Sequence, residues 1–381
     1  MIYFDSGATT FQKPPEVAAA MLEALASMSS PGRGGYPAAA RAAETAFQCR
    51  NELTELFGLD NPEQVVFTMN ATHALNIAVK SLVPPHGRAV ISGYEHNAVT
   101  RPLAALGAQV LTAQAPLFQP EAAAAAFDRL IAPGVDAVIC NHVSNVFGFI
   151  QPVEEVAALC RDRKVPLIID ASQSAGVLPL DMSALGAAFI AMPGHKGLYG
   201  PQGTGVLLCG KDVPVQPLLE GGTGSLSLQQ TMPDFLPDRL EAGTHNMPGI
   251  AGLLAGVRYV RRRGLDKILD RERRLTLLAA AGLRELPGLR VFALPGLRHQ
   301  AGVLSVSAED VDAEALGTAL SERGIAVRAG LHCAPLAHRS AGTLDSGTVR
   351  LSFSDFNTPE EVSRLFPAVR SSLESLRGGR F

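Results

Sequence analysis

The chain alternates short apolar runs with longer amphipathic stretches between residues 64 and 209. The runs are four or five residues long, and turn residues bound most of them. Seven of them are candidate strands: 64–68, 88–92, 109–112, 137–141, 166–170, 188–192 and 205–208. Strands that are apolar throughout and separated by helices predict an α/β fold, with a mostly parallel seven-stranded sheet covered on both faces.

Ala-, Leu- and Glu-rich stretches predict helices at 15–27, 38–56, 72–82, 121–130 and 153–163. Beyond residue 249 the pattern changes to one long Arg- and Leu-rich helix, short runs and a closing helix: 250–283, 290–292, 303–307, 326–329, 348–353 and 360–376. This pattern predicts a smaller C-terminal α+β domain. We place the large domain at 12–247 and the small one at 1–11 with 248–381.

Composition predicts the general class of protein. Hydrophobic residues make up 47% of the 381-residue chain and charged residues 18%, which is typical of a soluble enzyme. The net charge of −3 and the lack of a basic block argue against a nucleic-acid partner. No apolar run approaches the roughly 20 residues that span a bilayer, and the N-terminus lacks the features of a signal peptide. We therefore expect a cytoplasmic protein without a membrane partner.

The five cysteines are scattered without a CxxC pair, which favours neither a metal site nor a disulfide framework. Four of them lie in apolar or helical surroundings, where cysteine behaves as a small hydrophobe. Cys333 instead lies in a loop bounded by glycine and proline, with Arg328 and His332 nearby. Positive or polarising neighbours favour the thiolate, so Cys333 is a candidate nucleophile. The alternative is a buried structural cysteine.

Lys196 follows an apolar run and precedes a glycine-rich turn, in the segment GHKGLYGPQGTG. A lysine held there is partly desolvated, which lowers its pKa and frees the amine for Schiff-base chemistry. Taken alone, such a lysine is more often a solvated turn residue. The neighbouring strand ends change that interpretation.

Polar groups follow several of the predicted strands. Asp170 ends one run and could pair with a pyridinium nitrogen, although aspartate there could also cap a helix. The strand-to-helix passage at Ala71 and Thr72 offers free N–H groups for a phosphate. Ligands bind beyond the carboxyl ends of such strands, so we expect one cofactor site there. The further candidate residues in it are His96, Asn145 and Gln173.

Arg350 lies inside the predicted strand 348–353. An inward-facing arginine is costly without an anion partner, and its planar fork suits a carboxylate. We therefore predict that it binds a substrate carboxylate; a structural ion pair is the alternative.

Together these residues resemble the fold-type I pyridoxal-phosphate (PLP) enzymes of the class V aminotransferase group, and most of all its cysteine desulfurase/selenocysteine lyase branch. The resemblance covers essentially the whole chain. The opening YFDSGATT is similar to the family's YLDNAATT, EAGTHN at 241–246 is similar to EAGTPN, and RAGLHCA at 328–334 is similar to RxGxHCA.

The resemblance implies PLP as the cofactor and a homodimer. It implies that Lys196 bonds the cofactor, Asp170 pairs with the ring nitrogen and Gln173 contacts the phenolic oxygen. The remaining implied roles are ring contact for His96 and Asn145, phosphate binding for Thr72, His195 and the partner subunit's Thr244, and substrate carboxylate binding for Arg350. Arg328 and Asn145 are kept as further substrate-binding candidates.

Two positions depart from the family pattern. Pro193 stands where many relatives carry a serine that binds phosphate, and proline offers neither a hydroxyl nor an N–H. Tyr36 stands where a histidine near the substrate is common. We keep Tyr36 as a candidate substrate contact.

The predicted activity is conversion of L-cysteine to L-alanine, with sulfur passing to Cys333 as a persulfide and then to a protein acceptor. Lys196 would act as general base, and His96 is grouped with these two as a catalytic candidate. Three alternatives stay open: a lyase for selenocysteine or another sulfur amino acid, a class V aminotransferase, and an inactive PLP-binding regulatory protein.

Overall fold

The structure is a computed structural model that describes residues 1–32 and 34–378. Its strands, numbered in chain order, are β1 (Ile2–Tyr3), β2 (Val65–Thr68), β3 (Arg88–Ser92), β4 (Gln109–Ala113), β5 (Ala137–Asn141), β6 (Leu167–Asp170), β7 (Phe189–Pro193), β8 (Gly205–Cys209), β9 (Leu289–Phe292), β10 (Val303–Ala308), β11 (Ile325–Ala326), β12 (Arg328–Gly330) and β13 (Thr348–Ser352). The seven predicted strands of the first part of the chain are all present, with ends that differ by at most one residue.

The helices are α1 (Pro15–Ser27), α2 (Pro37–Phe57), α3 (Ala71–Leu82), α4 (Asn97–Ala105), α5 (Pro120–Leu130), α6 (Val153–Arg163), α7 (Met182–Leu185), α8 (Met247–Arg263), α9 (Leu265–Arg284), α10 (Ala313–Glu322), α11 (Pro335–Ala341) and α12 (Pro359–Gly378). The sequence pattern missed α4, which carries Pro102 in its interior. No helix in the described part of the chain is long and apolar enough to cross a membrane.

The large sheet has the strand order β2-β8-β7-β6-β5-β3-β4. The strands from β7 to β4 are parallel, and β8 alone runs antiparallel to its neighbours. Every residue of β5, β6 and β7 is buried, which explains why their sequences are apolar without alternation. This arrangement confirms the predicted fold class.

Alternate side chains of one strand pack into two different cores, one on each face of the sheet. In β5, Val138 and Cys140 belong to the core beneath α2 and α6, whereas Ala137 and Ile139 belong to the core beneath α3 and α4. Because β3, β5, β6 and β7 are adjacent and parallel, their carboxyl ends meet at one edge. That edge positions the site described below.

The predicted single helix over 250–283 is wrong. The structure has two helices, α8 and α9, separated at Gly264, whose φ is 86°. This left-handed backbone costs glycine little and ends a helix. The predicted strand 326–329 is also divided, because β11 pairs with β1 whereas β12 pairs with β13.

A separate core forms in the C-terminal part of the chain, where the antiparallel sheet β12-β13-β10-β9 packs with α9, α10 and α12. Ile2 and Phe4 from the N-terminus are buried in this core. In contrast, Leu253 and Val257 of α8 pack into a core of the large sheet. The predicted domain boundaries stay a prediction.

A buried ion pair anchors the segment that follows the large sheet. Glu241 receives hydrogen bonds from both terminal nitrogens of Arg50, at 2.9 and 2.7 Å, and from the Phe67 backbone N–H at 2.6 Å. The ring of His245 lies 2.6 Å from the same carboxylate. Burial alone would raise the pKa of Glu241, but the charge of Arg50 and the His245 contact outweigh burial and lower it.

Glu241→Gln is expected to reduce the free energy of unfolding by about 3–5 kcal/mol, because Arg50 is left buried without a counter-charge. Urea unfolding measures this loss. The lowered pKa means that the ion pair stabilises the wild type above the ordinary carboxyl pKa of 4.5 and loses this effect as the pH falls through the lowered value. The exposed Glu285→Gln is the matched control and should stay within about 0.5 kcal/mol of wild type. Equal stability of the two variants would contradict the prediction.

Candidate active site

A cavity of about 270 Å³ opens at the carboxyl edge of the large sheet. It brings together nearly all of the candidate residues from the sequence: Ala71, Thr72, His96, Asn145, Asp170, Gln173, His195, Lys196, Arg328, Cys333 and Arg350. The first eight follow strands of the large sheet, and the last three come from the C-terminal part of the chain. The cavity therefore lies between the two groups of elements, and we call it the front cavity.

Lys196 lies in the turn between β7 and β8, next to the end of β6. The hydroxyl of Thr10 donates to the carbonyl of His195 at 3.0 Å, and the Tyr199 N–H donates to the carbonyl of Lys196 at 2.9 Å. Burial lowers the pKa of the Lys196 amine to about 8, although the charge of Asp170 opposes the shift. A substantial neutral fraction of this amine is thus present near pH 8.

Asp170 is buried at the last position of β6, where its Oδ1 accepts a hydrogen bond of 2.9 Å from the Ser172 N–H. Gln173 follows in the same turn and donates from Nε2 to the Gly7 carbonyl at 2.9 Å. These hydrogen bonds hold both side chains beside Lys196.

His96 precedes α4, and its Nδ1 accepts a hydrogen bond of 3.0 Å from the Ala98 N–H. Burial lowers the pKa of His96 to about 4, so the ring is neutral at pH 7. A neutral ring with its Nδ1 engaged presents a flat apolar face, which suits contact with an aromatic ligand.

The first turn of α3 lies at the cavity wall, where Asn70 caps the helix by accepting from the His73 N–H at 2.9 Å. Ala71 and Thr72 thus sit where free N–H groups and the helix dipole favour an anion. His195 lies at the same cavity, and its buried Nδ1 has no partner among the described residues. Pro193 completes β7 without offering a donor.

Cys333 lies in the loop between β12 and α11, and its thiol is exposed. The guanidinium Nη2 of Arg328 lies 3.9 Å from Sγ. Two hydrogen bonds hold this loop on the large sheet: the Asn97 N–H donates to the Cys333 carbonyl at 2.8 Å, and the Asn145 amide donates to the His332 carbonyl at 2.9 Å. The loop backbone is strained, with φ of 52° at His332 and 56° at Cys333.

The other four cysteines differ from Cys333 in burial. Cys49, Cys140, Cys160 and Cys209 are all buried, and burial raises the pKa of each thiol. They remain thiols at neutral pH, which leaves Cys333 as the accessible nucleophile of the set.

Arg350 is buried in β13 with two of its nitrogens engaged. Nη2 forms an ion pair of 2.5 Å with Oδ1 of Asp5, and Nη1 donates to the Asn145 carbonyl at 2.9 Å. Nε is buried without a partner in residues 1–32 and 34–378. The ion pair with Asp5 is therefore present, and substrate binding by Arg350 stays a prediction.

Two candidates lie outside the front cavity of this chain. Thr244 is exposed at a separate cavity of about 210 Å³ that Glu241 and Leu253 also line. Tyr36 precedes α2, is 51% exposed, and accepts a hydrogen bond of 3.2 Å from the Ser29 hydroxyl. The role of each at a site shared with a partner subunit stays a prediction.

Sequence reasoning missed Asp5 and Glu95. Glu95 is fully buried next to His96 in the chain, and its Oε1 accepts from the Ser92 hydroxyl at 2.6 Å and from the Asn141 N–H at 2.7 Å. Burial raises the pKa of Glu95 to about 8. Its position directly after an apolar strand and before His96 was the available signal.

The fold and the polar groups at its sheet edge define a class of protein. The sequence profile of the family described as Aminotransferase class-V matches residues 2–365. The chain belongs to this family, whose members in general depend on PLP.

Similar proteins point to one branch of this family, the cysteine desulfurases. A probable cysteine desulfurase of Mycolicibacterium paratuberculosis is 32% identical over 98% of this chain and 56% of that protein. A probable cysteine desulfurase of Methanothermobacter thermautotrophicus is 32% identical over 96% of this chain and 92% of that protein. The chain thus spans little more than half of the first relative and most of the second.

Solved structures give the same result. The apo structure of a cysteine desulfurase from Thermococcus onnurineus has a TM-score of 0.87 and 30% identity, and covers 99% of this chain and 95% of its own. A cysteine desulfurase from Escherichia coli has a TM-score of 0.85 and 27% identity, and covers 98% of this chain and 95% of its own. The resemblance to the desulfurase branch, inferred above from motifs, is confirmed.

Proposed function

We propose that this chain is a PLP-dependent cysteine desulfurase that converts L-cysteine to L-alanine and receives the sulfur on Cys333 as a persulfide. The observation that carries the proposal is the exposed Cys333 thiol at the same cavity as Lys196 and Arg350. A plain aminotransferase needs no thiol at that place. The names of the relatives support the same activity.

The front cavity fits the cofactor by the chemistry of its donors. Lys196 would hold PLP covalently, Asp170 would pair with its ring nitrogen, and the first turn of α3 would take its phosphate. The buried Nδ1 of His195 and Oδ1 of Asn145, which have no partner within the described chain, fit a polar ligand. PLP, when bound, supplies an electron sink for the substrate α-carbon.

The protein's own residues supply the acid–base and binding steps. The Lys196 amine takes the proton from the substrate α-carbon, a task suited to a pKa of about 8. The open Nε of Arg350 binds the substrate carboxylate. Sγ of Cys333, with the Arg328 guanidinium 3.9 Å away, attacks the substrate sulfur. The S–S bond forms as the substrate Cβ–S bond breaks, and the proton that the thiol loses balances the one that Cβ gains to become the methyl group of alanine.

Arg350→Lys is expected to raise KM for L-cysteine by roughly 10- to 100-fold, the equivalent of one lost charged hydrogen bond of about 1.5–3 kcal/mol. Lysine keeps the charge near Asp5 but has no planar fork. Steady-state kinetics on the cofactor-loaded protein measure this, with the surface variant Arg370→Lys as control. An unchanged KM would show that Arg350 does not bind the substrate carboxylate.

The function itself is tested with purified, PLP-loaded protein, L-cysteine and a thiol reductant. Equal amounts of alanine and sulfide are expected. Turnover that depends on an added 2-oxo acid and releases no sulfide would instead indicate aminotransferase chemistry, and no turnover would indicate a regulatory PLP protein. Turnover with L-selenocysteine in place of L-cysteine distinguishes a selenocysteine lyase from a cysteine desulfurase.

The proposal includes a homodimer and a protein sulfur acceptor. Thr244 lies exposed in the glycine-containing segment 241–246, apart from the front cavity of its own chain, where it would be free to contact the phosphate site of a partner subunit. The exposed Cys333 sulfur is open to an acceptor thiol. Light scattering of the loaded protein tests the dimer, and a monomer with full activity would contradict it.

A further inference from the structure

A second, smaller cavity of about 30 Å³ lies behind Lys196. It is lined by polar groups from both parts of the chain: Ser6, Thr10, Gln173, Lys196, Glu272 and Ser352. We call it the rear cavity. Gln173 and Lys196 line both cavities, so these two residues lie between them.

Glu272 of α9 supplies the one carboxyl group of the rear cavity lining. Glu272 is buried, with 7% of the residue exposed. Its carboxyl makes no hydrogen bond or ion pair within residues 1–32 and 34–378. Gly302 leaves room for this acid, because a Cβ there would lie 2.6 Å from Oε2. The desulfurase steps derived above do not use it.

A carboxyl group buried in this way is costly as an anion and stays protonated. Burial raises the pKa of Glu272 well above its ordinary value, and the negative charge of Asp355 adds to this. Of the cations near Asp355, Arg263 is paired with that aspartate and Arg271 donates to the Asn357 carbonyl at 2.6 Å. Tyr199 and Lys196 are further titratable groups near Glu272. No cation is paired with Glu272 in the described part of the molecule.

The rear cavity is the size of a water site. A volume of about 30 Å³ exceeds the roughly 10–15 Å³ that one water needs. The hydroxyls of Ser6, Thr10 and Ser352 and the amide of Gln173 offer the two to four polar partners that hold such a water.

We propose that Glu272 is a proton-exchange residue for Lys196, acting through water in the rear cavity. The inference rests on the proposed function, in which Lys196 takes the substrate α-proton. While substrate fills the front cavity, the rear cavity offers the Lys196 amine a second proton partner.

The exchange balances without an outside reagent. Once Lys196 has taken the substrate α-proton, one N–H bond of its ammonium group breaks and that proton passes through the water to the carbonyl oxygen of the Glu272 carboxyl group, while the Glu272 O–H bond breaks and its proton passes back through the water to the Lys196 nitrogen. One hydrogen is exchanged, and Lys196 remains an ammonium group and Glu272 a carboxylic acid.

The test measures how much of the substrate α-hydrogen is retained in the alanine product. PLP-loaded wild type, Glu272→Gln and Glu272→Asp are given L-cysteine deuterated at the α-carbon in ordinary water, and deuterium in the alanine is measured by mass spectrometry. An ammonium group has three hydrogens, so Lys196 without exchange returns about one third of the deuterium. Wild type is expected to return several-fold less than Glu272→Gln, and Glu272→Asp, which keeps the acid, should resemble wild type.

A second readout needs neither cofactor nor substrate. The infrared band of a protonated carboxylic acid at neutral pH should be weaker in apo Glu272→Gln than in apo wild type, with melting temperatures confirming that both fold. Equal deuterium return in all three proteins, or no lost infrared band, would overturn the proposal. If wild type makes no alanine at all, the desulfurase function fails, while the infrared result still decides the state of Glu272.

Discussion

Lys196→Ala is expected to lower the rate of alanine formation from L-cysteine by at least about 10²–10⁴-fold, the range associated with loss of a general base. The variant also loses the amine that would bond the cofactor. The reason is local, because burial holds the pKa of this amine at about 8 and the turn around it fixes its place beside Asp170. Turnover by the PLP-loaded protein measures the first effect. Mass spectrometry after borohydride reduction measures the second, as a cofactor adduct on the peptide that contains residue 196.

Two further variants distinguish the role of the Lys196 amine as a base from the effect of a lysine's positive charge. Lys196→Arg keeps the positive charge but cannot act as a neutral base, so it should be as inactive as Lys196→Ala. Lys80→Ala removes an exposed lysine of α3 and should behave as wild type. An adduct that remains in Lys196→Ala would place the cofactor on another lysine.

The convergence of polar side chains at the edge of the large sheet could be predicted because it follows from sheet topology. Parallel strands end at one edge, so a polar residue after each apolar run must meet the others there. Asn141 and Asp170 are register partners at the ends of β5 and β6, and Asp170 pairs with Ala191 of β7. No knowledge of loop conformation was needed for Asp170 or Lys196.

Contacts between the two parts of the chain could not be predicted in this way. Asp5 and Arg350 are 345 positions apart and meet only because the N-terminal segment lies along β13, through the Asp5–Ser352 bridge. Glu272 looks like one more charged position in an Arg-rich helix, and its burial depends on Gly302 and on the packing of α9. Hydrophobic periodicity predicts which face of a helix is apolar, but it does not predict which other elements pack against that face.

The break at Gly264 shows a second limit. The Arg- and Leu-rich pattern continues across it because α8 and α9 are both amphipathic, so hydrophobic spacing alone indicates one helix. An isolated glycine is tolerated inside a helix at a cost of about 1 kcal/mol, and the sequence therefore does not decide the break. The tertiary packing of α8 on the large sheet and α9 on the C-terminal core decides it.

Cys333→Ala is expected to reduce alanine and sulfide formation by at least about two orders of magnitude while the cofactor stays bound. The thiol is the exposed nucleophile at the front cavity, and Arg328 lies 3.9 Å from its sulfur. Without it, the substrate sulfur has no acceptor, although Lys196 can still exchange the α-hydrogen of L-cysteine with water. Loss of turnover with continued α-hydrogen exchange is therefore the specific signature, and proton NMR in D₂O measures both in one sample.

Cys160→Ala is the matched control, because it removes a buried thiol from α6, far from the sheet edge, and should retain turnover. Mass spectrometry of wild type treated with L-cysteine without reductant should find one added sulfur atom on Cys333 and none on Cys160. Full sulfide release by Cys333→Ala would contradict the persulfide step. Loss of α-hydrogen exchange together with turnover would show that the 328–334 loop shapes the cavity, because its hydrogen bonds to Asn97 and Asn145 then matter more than its thiol.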